Sequence, residues 1–171
     1  MLKLLNIVWF QSNGIIKGTM SDKNFDIHNT SSVCFARNVN HIGIVVEDIN
    51  KTIKFYSEIF GSDLVEPHRI EEQEVYAAVI DIGDCKLEFI QSVNSDSSIT
   101  KFINKKGYGL HHLCLEVSNL GNVLTKLDSS GINLVDKIPK KGLVGDIAFI
   151  HPKSMGGVLM ELIDSDSIRR N

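Results

Sequence analysis

His41-Ile42-Gly43-Ile44-Val45-Val46 opens an apolar run that the chain writes a second time as His112-Leu113-Cys114-Leu115-Glu116-Val117. Each run has a later counterpart. Gly83-Asp84-Cys85-Lys86-Leu87-Glu88-Phe89-Ile90 follows the first, and Gly156-Gly157-Val158-Leu159-Met160-Glu161-Leu162-Ile163 follows the second. Both counterparts carry a glutamate inside an apolar run, at the same offset from a glycine. The histidine-to-glutamate intervals nearly agree. Two His and two Glu therefore occupy equivalent places in two equivalent modules. Pairing the modules about a pseudo-twofold would bring all four together, and imidazole plus carboxylate is a divalent-metal ligand set.

The repeat extends outward from these residues. After His41 the strand-like run breaks at Glu47-Asp48, and a helix is expected over Ile49 to Phe60, ended by Gly61. After His112 the break is Ser118-Asn119, and a helix is expected from Leu120 to about Ser129, with Gly131 after it. Ile49, Ile53, Tyr56 and Phe60 recur at helical spacing, as do Leu120, Val123, Leu124 and Leu127. Each glycine sits where a left-handed residue ends a helix. Strands are expected over Leu64-Val65-Glu66, Glu74 to Ile82 and Lys86 to Gln91. In the second module they are expected over Leu134-Val135, Asp146 to Ile150 and Val158 to Ile163. Gly83-Asp84 and Gly156-Gly157 serve as the turns. Each module thus reads β-α-β-β-β, and the fold class is α+β. Module one covers 39–91, a linker 92–110, and module two 111–164. In the linker, Asn94-Ser95-Asp96-Ser97-Ser98 can cap a short helix from Ile99 to Lys105. Residues 1–38 form an N-terminal extension and 165–171 a C-terminal tail. Leu4 to Phe10 is apolar but short, which disfavours a secretory signal, and Met20 is an alternative start.

Composition sets the class. A chain of 171 residues, 43% hydrophobic, is one ordinary domain or two small fused halves. A net charge of −3 gives no general reason to expect nucleic-acid binding. No apolar run is long enough to cross a bilayer. Cys34, Cys85 and Cys114 are odd in number and widely spaced, with no C-x-x-C pair. That favours a reducing compartment, the cytoplasm or, in a eukaryote, the mitochondrion.

Each candidate ligand has a bland reading beside the chemical one. A lone histidine heading an apolar strand is commonly a hydrogen-bonded core residue. Glu88 shares its strand face with Lys86 and Ile90, so an exposed sheet face would account for it. Glu161 differs, because Leu159, Met160, Leu162 and Ile163 make both faces of its strand apolar. A carboxylate buried there needs a cation or a hydrogen-bond network. His111 and His112 are adjacent and point to opposite faces of a strand, so only one of them is expected at the cluster. Matching the two copies selects His112. Pro152 to Gly157 combines Lys153, Ser154 and Gly156, a cation and backbone N–H groups that could receive a carboxylate; an ordinary hairpin loop is the alternative.

The twofold pattern with this ligand set resembles the vicinal-oxygen-chelate (glyoxalase/bleomycin-resistance/dioxygenase) superfamily, and within it the methylmalonyl-CoA epimerase family. Besides the His41 run, the resemblance rests on Asp96-Ser97-Ser98-Ile99-Thr100-Lys101-Phe102, on Gly109-Leu110-His111-His112-Leu113-Cys114-Leu115-Glu116-Val117, and on His151-Pro152-Lys153-Ser154-Met155-Gly156-Gly157-Val158-Leu159-Met160-Glu161-Leu162. It implies an open β-cup holding one divalent ion (Co, Mn, Ni, Zn or Fe) among His41, Glu88, His112 and Glu161. It further implies an acyl-CoA substrate, a homodimer, and interconversion of (2R)- and (2S)-methylmalonyl-CoA, or a related 2-substituted malonyl thioester, by C2 proton abstraction through a metal-stabilised enolate. Glu161 is the expected catalytic base. Some family members carry a further glutamate on the second strand of module one, where this chain has Ala77. Lys105-Lys106 and Lys140-Lys141 are candidate contacts for the phosphates of coenzyme A. A glyoxalase I-type isomerase uses the same ligands but usually a different turn before the last one. A non-catalytic binding protein of this fold would lack the ligands.

Overall fold

The computed structural model describes residues 36–169. Eight strands form one mixed sheet, curled into an open half-barrel, with three helices. In chain order these are β1 (Val39–Val45), α1 (Ile49–Phe60), β2 (His68–Ile70), β3 (Val75–Ile82), β4 (Cys85–Ser92), α2 (Ser98–Lys106), β5 (Gly109–Val117), α3 (Leu120–Ser129), β6 (Lys140–Lys141), β7 (Asp146–Ile150) and β8 (Leu159–Asp164). The strand order β2-β3-β4-β1-β5-β8-β7-β6 is palindromic about the β1/β5 seam. Each module contributes four strands, and the antiparallel β1–β5 pair joins them. Within each module the histidine strand lies parallel to the glutamate strand, β1 on β4 and β5 on β8.

The alternation of side chains along the strands sorts two faces. On the convex face, Ala78, Ile80 and Phe89 pack under Ile49 and Ile53 of α1. Val117, Ala148, Ile150, Met160 and Leu162 pack under Leu120, Val123 and Leu124 of α3. The intervening residues, among them Ala77, Val79, Glu88, Ile90, Glu161 and Ile163, line the concave face. Helix limits follow local chemistry. Asp48 caps α1 by accepting a hydrogen bond from the Lys51 amide at 3.0 Å, and Gly61 ends it at φ 70°, where a side chain would be strained. Ser97 caps α2 by accepting from the Thr100 amide. No helix among the described residues is long and apolar enough to cross a membrane.

The expected helices, β3, β4, β7 and β8 lie within a residue or so of their predicted limits. Two expected strands do not form. Leu64-Val65-Glu66 joins no ladder; the module's edge strand is His68–Ile70. Leu134-Val135 contributes only an isolated bridge, Leu134 to Ile150, and the edge strand is Lys140–Lys141. Both true strands begin just after a proline, Pro67 and Pro139. Proline lacks an N–H for the ladder, so pairing starts one residue later. At the other end of the chain, residues 165–169 return to the sheet. The Ser165 amide bonds the Val117 carbonyl at 2.7 Å, and the Arg169 amide bonds that of Val144 at 2.9 Å. The expectation for the N-terminal extension falls mainly on residues 1–35, outside the described residues.

Candidate active site

The seam of the two modules builds the site. His41 on β1 and His112 on β5 come from adjacent antiparallel strands, flanked by Glu88 on β4 and Glu161 on β8. The two imidazoles meet at Nε2, 3.0 Å apart. Glu161 Oε2 lies 3.0 Å from His112 Nε2 and 3.8 Å from His41 Nε2. Glu88 Oε2 lies 3.5 and 3.6 Å from the same two nitrogens. The four donor atoms all lie within 4.8 Å of one another. The cluster forms part of the wall of a cleft of about 810 Å³.

Burial decides the electrostatics. His41, Glu88, His112 and Glu161 are each no more than 9% exposed. Desolvation, with Lys86 adding to it, lowers His41 to about 4. Desolvation together with His41 and His111 lowers His112 to about 2. Burial raises Glu88 to about 7. Burial also carries Glu161 well above the usual carboxylate range; Glu88 adds to this, while the Cys114 thiol and Lys140 oppose it. Neutral imidazoles are the protonation state that ligates metals. The carboxylates' only ion-pair partners among the described residues are these two histidines. In their ionised form the two buried carboxylates would face lone-pair nitrogens alone, an arrangement that a cation among them would stabilise. Two ligands at about 2.1 Å from one ion stand about 3.0 Å apart at a right angle and about 3.4 Å at the tetrahedral angle. The observed contacts, 3.0–3.8 Å, begin in that range and extend a few tenths of an ångström beyond it. The residues present therefore fit a divalent ion with N₂O₂ donors.

The β1–β5 ladder is not regular. Gly43 pairs with His112 and Ile44 with Leu110, leaving His111 as an extra residue. Val39 pairs with Leu115 and His41 with Cys114, leaving Asn40 extra. Each module thus carries a β-bulge immediately before its histidine. This corrects the expectation that His111 faces away from His112, because a bulge interrupts the strand's alternation. His111 lines the same cleft, and its Nδ1 lies 2.9 Å from His112 Nδ1. At the equivalent place Asn40 Oδ1 lies 3.0 Å from His41 Nδ1.

Gly43 and Cys114 are equivalent between modules, and each sits level with a histidine and a glutamate. A Cβ on Gly43 would lie 2.2 Å from Cε1 of His112, so the absence of a side chain is what admits that ring. Cys114 is fully buried beside Glu161, and burial pushes its thiol far up, holding it protonated. It does not line the cleft. Neither Asn40 nor Gly43 was singled out for a role from the sequence. The available signal was their alignment, a polar residue before each histidine and a small residue two after it.

Other sequence-derived candidates separate into two groups. Ala77 lines the cleft, paired with Ile90 of β4, and no carboxylate stands there. Lys140 also lines it, 5.0 Å above the Phe149 ring and ion-paired to Asp136 at 3.1 Å. Lys153, Ser154 and Gly156 are not among the lining residues. The Ser154 hydroxyl accepts hydrogen bonds from the Asn133 amide at 2.9 Å and from Asn133 Nδ2, and Lys153 is exposed. Lys105 and Lys106 end α2 at the surface, also off the lining.

The family model described as the Glyoxalase/Bleomycin resistance protein/Dioxygenase superfamily matches residues 40–149. Bovine mitochondrial methylmalonyl-CoA epimerase is 34% identical over 126 residues, covering 72% of this chain and 72% of that one. An uncharacterised Bacillus subtilis protein, YqjC, is 36% identical over 134 residues, covering 78% of this chain and 96% of its own length. A Streptomyces coelicolor methylmalonyl-CoA epimerase variant, solved with 2-nitronate-propionyl-CoA, superposes with a TM-score of 0.73 at 27% identity, covering 80% of this chain and all of that one. With the palindromic sheet, the seam cluster and these relatives in agreement, the chain belongs to the glyoxalase/bleomycin resistance protein/dioxygenase superfamily and, within it, to the family of the methylmalonyl-CoA epimerases.

Proposed function

We propose that this protein is a divalent-metal-dependent epimerase of (2R)- and (2S)-methylmalonyl-CoA, with His41, Glu88, His112 and Glu161 as the metal ligands. The observation that carries the reading is the buried His₂Glu₂ cluster in the wall of the cleft. A divalent ion held there would supply Lewis acidity toward a thioester carbonyl oxygen. Glu161 is the acid/base group. It is a carboxylate at the cluster in the wall of the cleft, placed to take the C2 proton onto a carboxylate oxygen. Val79, Ile90 and Ile147 supply the apolar wall for the methyl group and thioester. Lys140 adds positive charge beside the cluster for an anionic acyl-CoA. With Ala77 on the facing strand, the proton for the opposite face of C2 comes from water admitted to the cleft, and the inverted product carries a solvent proton.

The test is deuterium exchange at C2 of each methylmalonyl-CoA epimer in D₂O, with and without chelator. Exchange and interconversion of both epimers, abolished by chelation and restored by metal, is the expected result. Bound metal without exchange would sink the reading for this thioester.

A further inference from the structure

The bulges explain more than the placement of two extra side chains. A neutral imidazole has one N–H and one lone pair. For His41 and His112 to turn Nε2 lone pairs toward the cluster, each must carry its proton on Nδ1 and give it to an acceptor. Asn40 Oδ1, 3.0 Å from His41 Nδ1, is such an acceptor. At the equivalent position His112 Nδ1 meets another ring nitrogen, His111 Nδ1, at 2.9 Å. That nitrogen can accept only through its lone pair, so the His111 proton must sit on Nε2. The His111 ring is held edge-on to Phe102, with centroids 4.7 Å apart at 85°, and lines the cleft. Its Nε2 has no hydrogen-bond partner among the described residues.

We propose that Asn40 and His111 are paired positioning residues that lock the two ligand imidazoles into the Nε2-ligating tautomer, and that the lock on module two leaves His111 Nε2–H as a donor to an oxygen of the acyl thioester. The proposal rests on the metal-site reading above. Module one differs there: with its Oδ1 on His41, Asn40 has a side-chain amide as its remaining donor, and that amide ends nearer the backbone than the ring Nε2 of His111. The two bulges therefore break the site's pseudo-symmetry, giving an asymmetric thioester one preferred orientation over a nearly symmetric ligand set. Ligand-orienting partners of this kind typically change metal affinity 10- to 100-fold when removed.

The test joins three readouts on the full chain. In the Zn²⁺-loaded wild type, long-range ¹⁵N–¹H correlation of the imidazoles should report His41 and His112 protonated at Nδ1 and His111 at Nε2. In Co²⁺ titrations followed by visible absorption, His111→Phe and Asn40→Leu should lose about 10- to 100-fold in affinity. His111→Asn, which copies module one and whose amide N–H ends short of the imidazole Nε2, should keep wild-type metal affinity yet bind 2-nitronate-propionyl-CoA about tenfold more weakly. A His111 proton on Nδ1 in the Zn²⁺ form, or wild-type Co²⁺ affinity in His111→Phe, would overturn the proposal. The spectrum of the wild type decides the matter even if a variant fails to fold. Zn²⁺ or Co²⁺ failing to bind the wild type overturns it together with the metal site. Normal metal and tautomer results without C2 exchange would instead count against the epimerase reading alone.

Discussion

Gly43→Ala is the sharpest single perturbation the geometry offers. The new Cβ would lie 2.2, 2.4 and 2.5 Å from Cε1, Nδ1 and Nε2 of His112, where ordinary contact begins at 3.4 Å. The imidazole must therefore withdraw by about 1.2 Å. It has little room to do so. Its side chain is 2% exposed and bounded by the rings of Phe149, His111 and His41, with centroids 5.5, 5.2 and 5.2 Å away. Overpacking of this kind costs about 1–3 kcal/mol. The larger effect falls on the metal, since ligand distances are held to about 0.2 Å and this displacement removes one ligand of four. The expected outcome is at least about a hundredfold loss of Co²⁺ affinity, taking the upper range for a disturbed ligand environment, with a lowered melting temperature in the metal-free protein. Gly121→Ala is the control. It lies in α3, with nothing within 4 Å of the added Cβ, and should leave metal binding alone while adding up to about 1 kcal/mol of helix stability. Wild-type Co²⁺ affinity and an unshifted melt in Gly43→Ala would refute the close-approach argument.

Three further outcomes are expected. Glu161→Gln should lower the rate of C2 exchange by about a hundredfold or more, since a positioned acid/base group contributes 10²–10⁴; exchange near the wild-type rate would exclude Glu161 as the base. Metal should stabilise the protein more at pH 8 than at pH 6. The folded-state pKa of Glu88 is raised to about 7, so in the metal-free protein its contribution is complete below the ordinary carboxylate pKa and is lost as pH rises toward 7. The lowered His41 works oppositely, its contribution being lost as pH falls from 6.5 to about 4. Metal requires the deprotonated carboxylate, so apparent affinity should rise up to about tenfold per pH unit while Glu88 is protonated; a metal-induced melting shift that shrinks from pH 6 to pH 8 contradicts this. Phe89→Ala should cost about 3–5 kcal/mol in denaturant unfolding of the metal-free protein, because Phe89 is fully buried against Tyr56 under α1; a loss below about 1 kcal/mol would mean that this helix–sheet contact is not tight.

The residue pattern alone determined the helices, most strand limits and the four residues of the cluster. These features are written in local chemistry. Helical spacing at Ile49 and Ile53, Asp48 and Ser97 as caps, and Gly61 as a left-handed stop depend on neighbours along the chain. The internal repeat added one long-range fact, because equivalence between modules named His41 with His112 and Glu88 with Glu161 before any contact was known. The edge strands were misread as Leu64-Val65-Glu66 and Leu134-Val135, since apolar composition does not say where pairing can begin after a proline. The bulges were beyond reach for a stronger reason. Whether His111 faces with His112 or away from it depends on register between β1 and β5, strands far apart in sequence, and a one-residue change in register reverses every side chain. The closeness of Gly43 to the His112 ring and the raised pKa values of Glu88 and Glu161 likewise exist only once the modules close on each other. The repeat named the four residues of the cluster; the pairing of two distant strands decided their orientation, their burial and hence their chemistry.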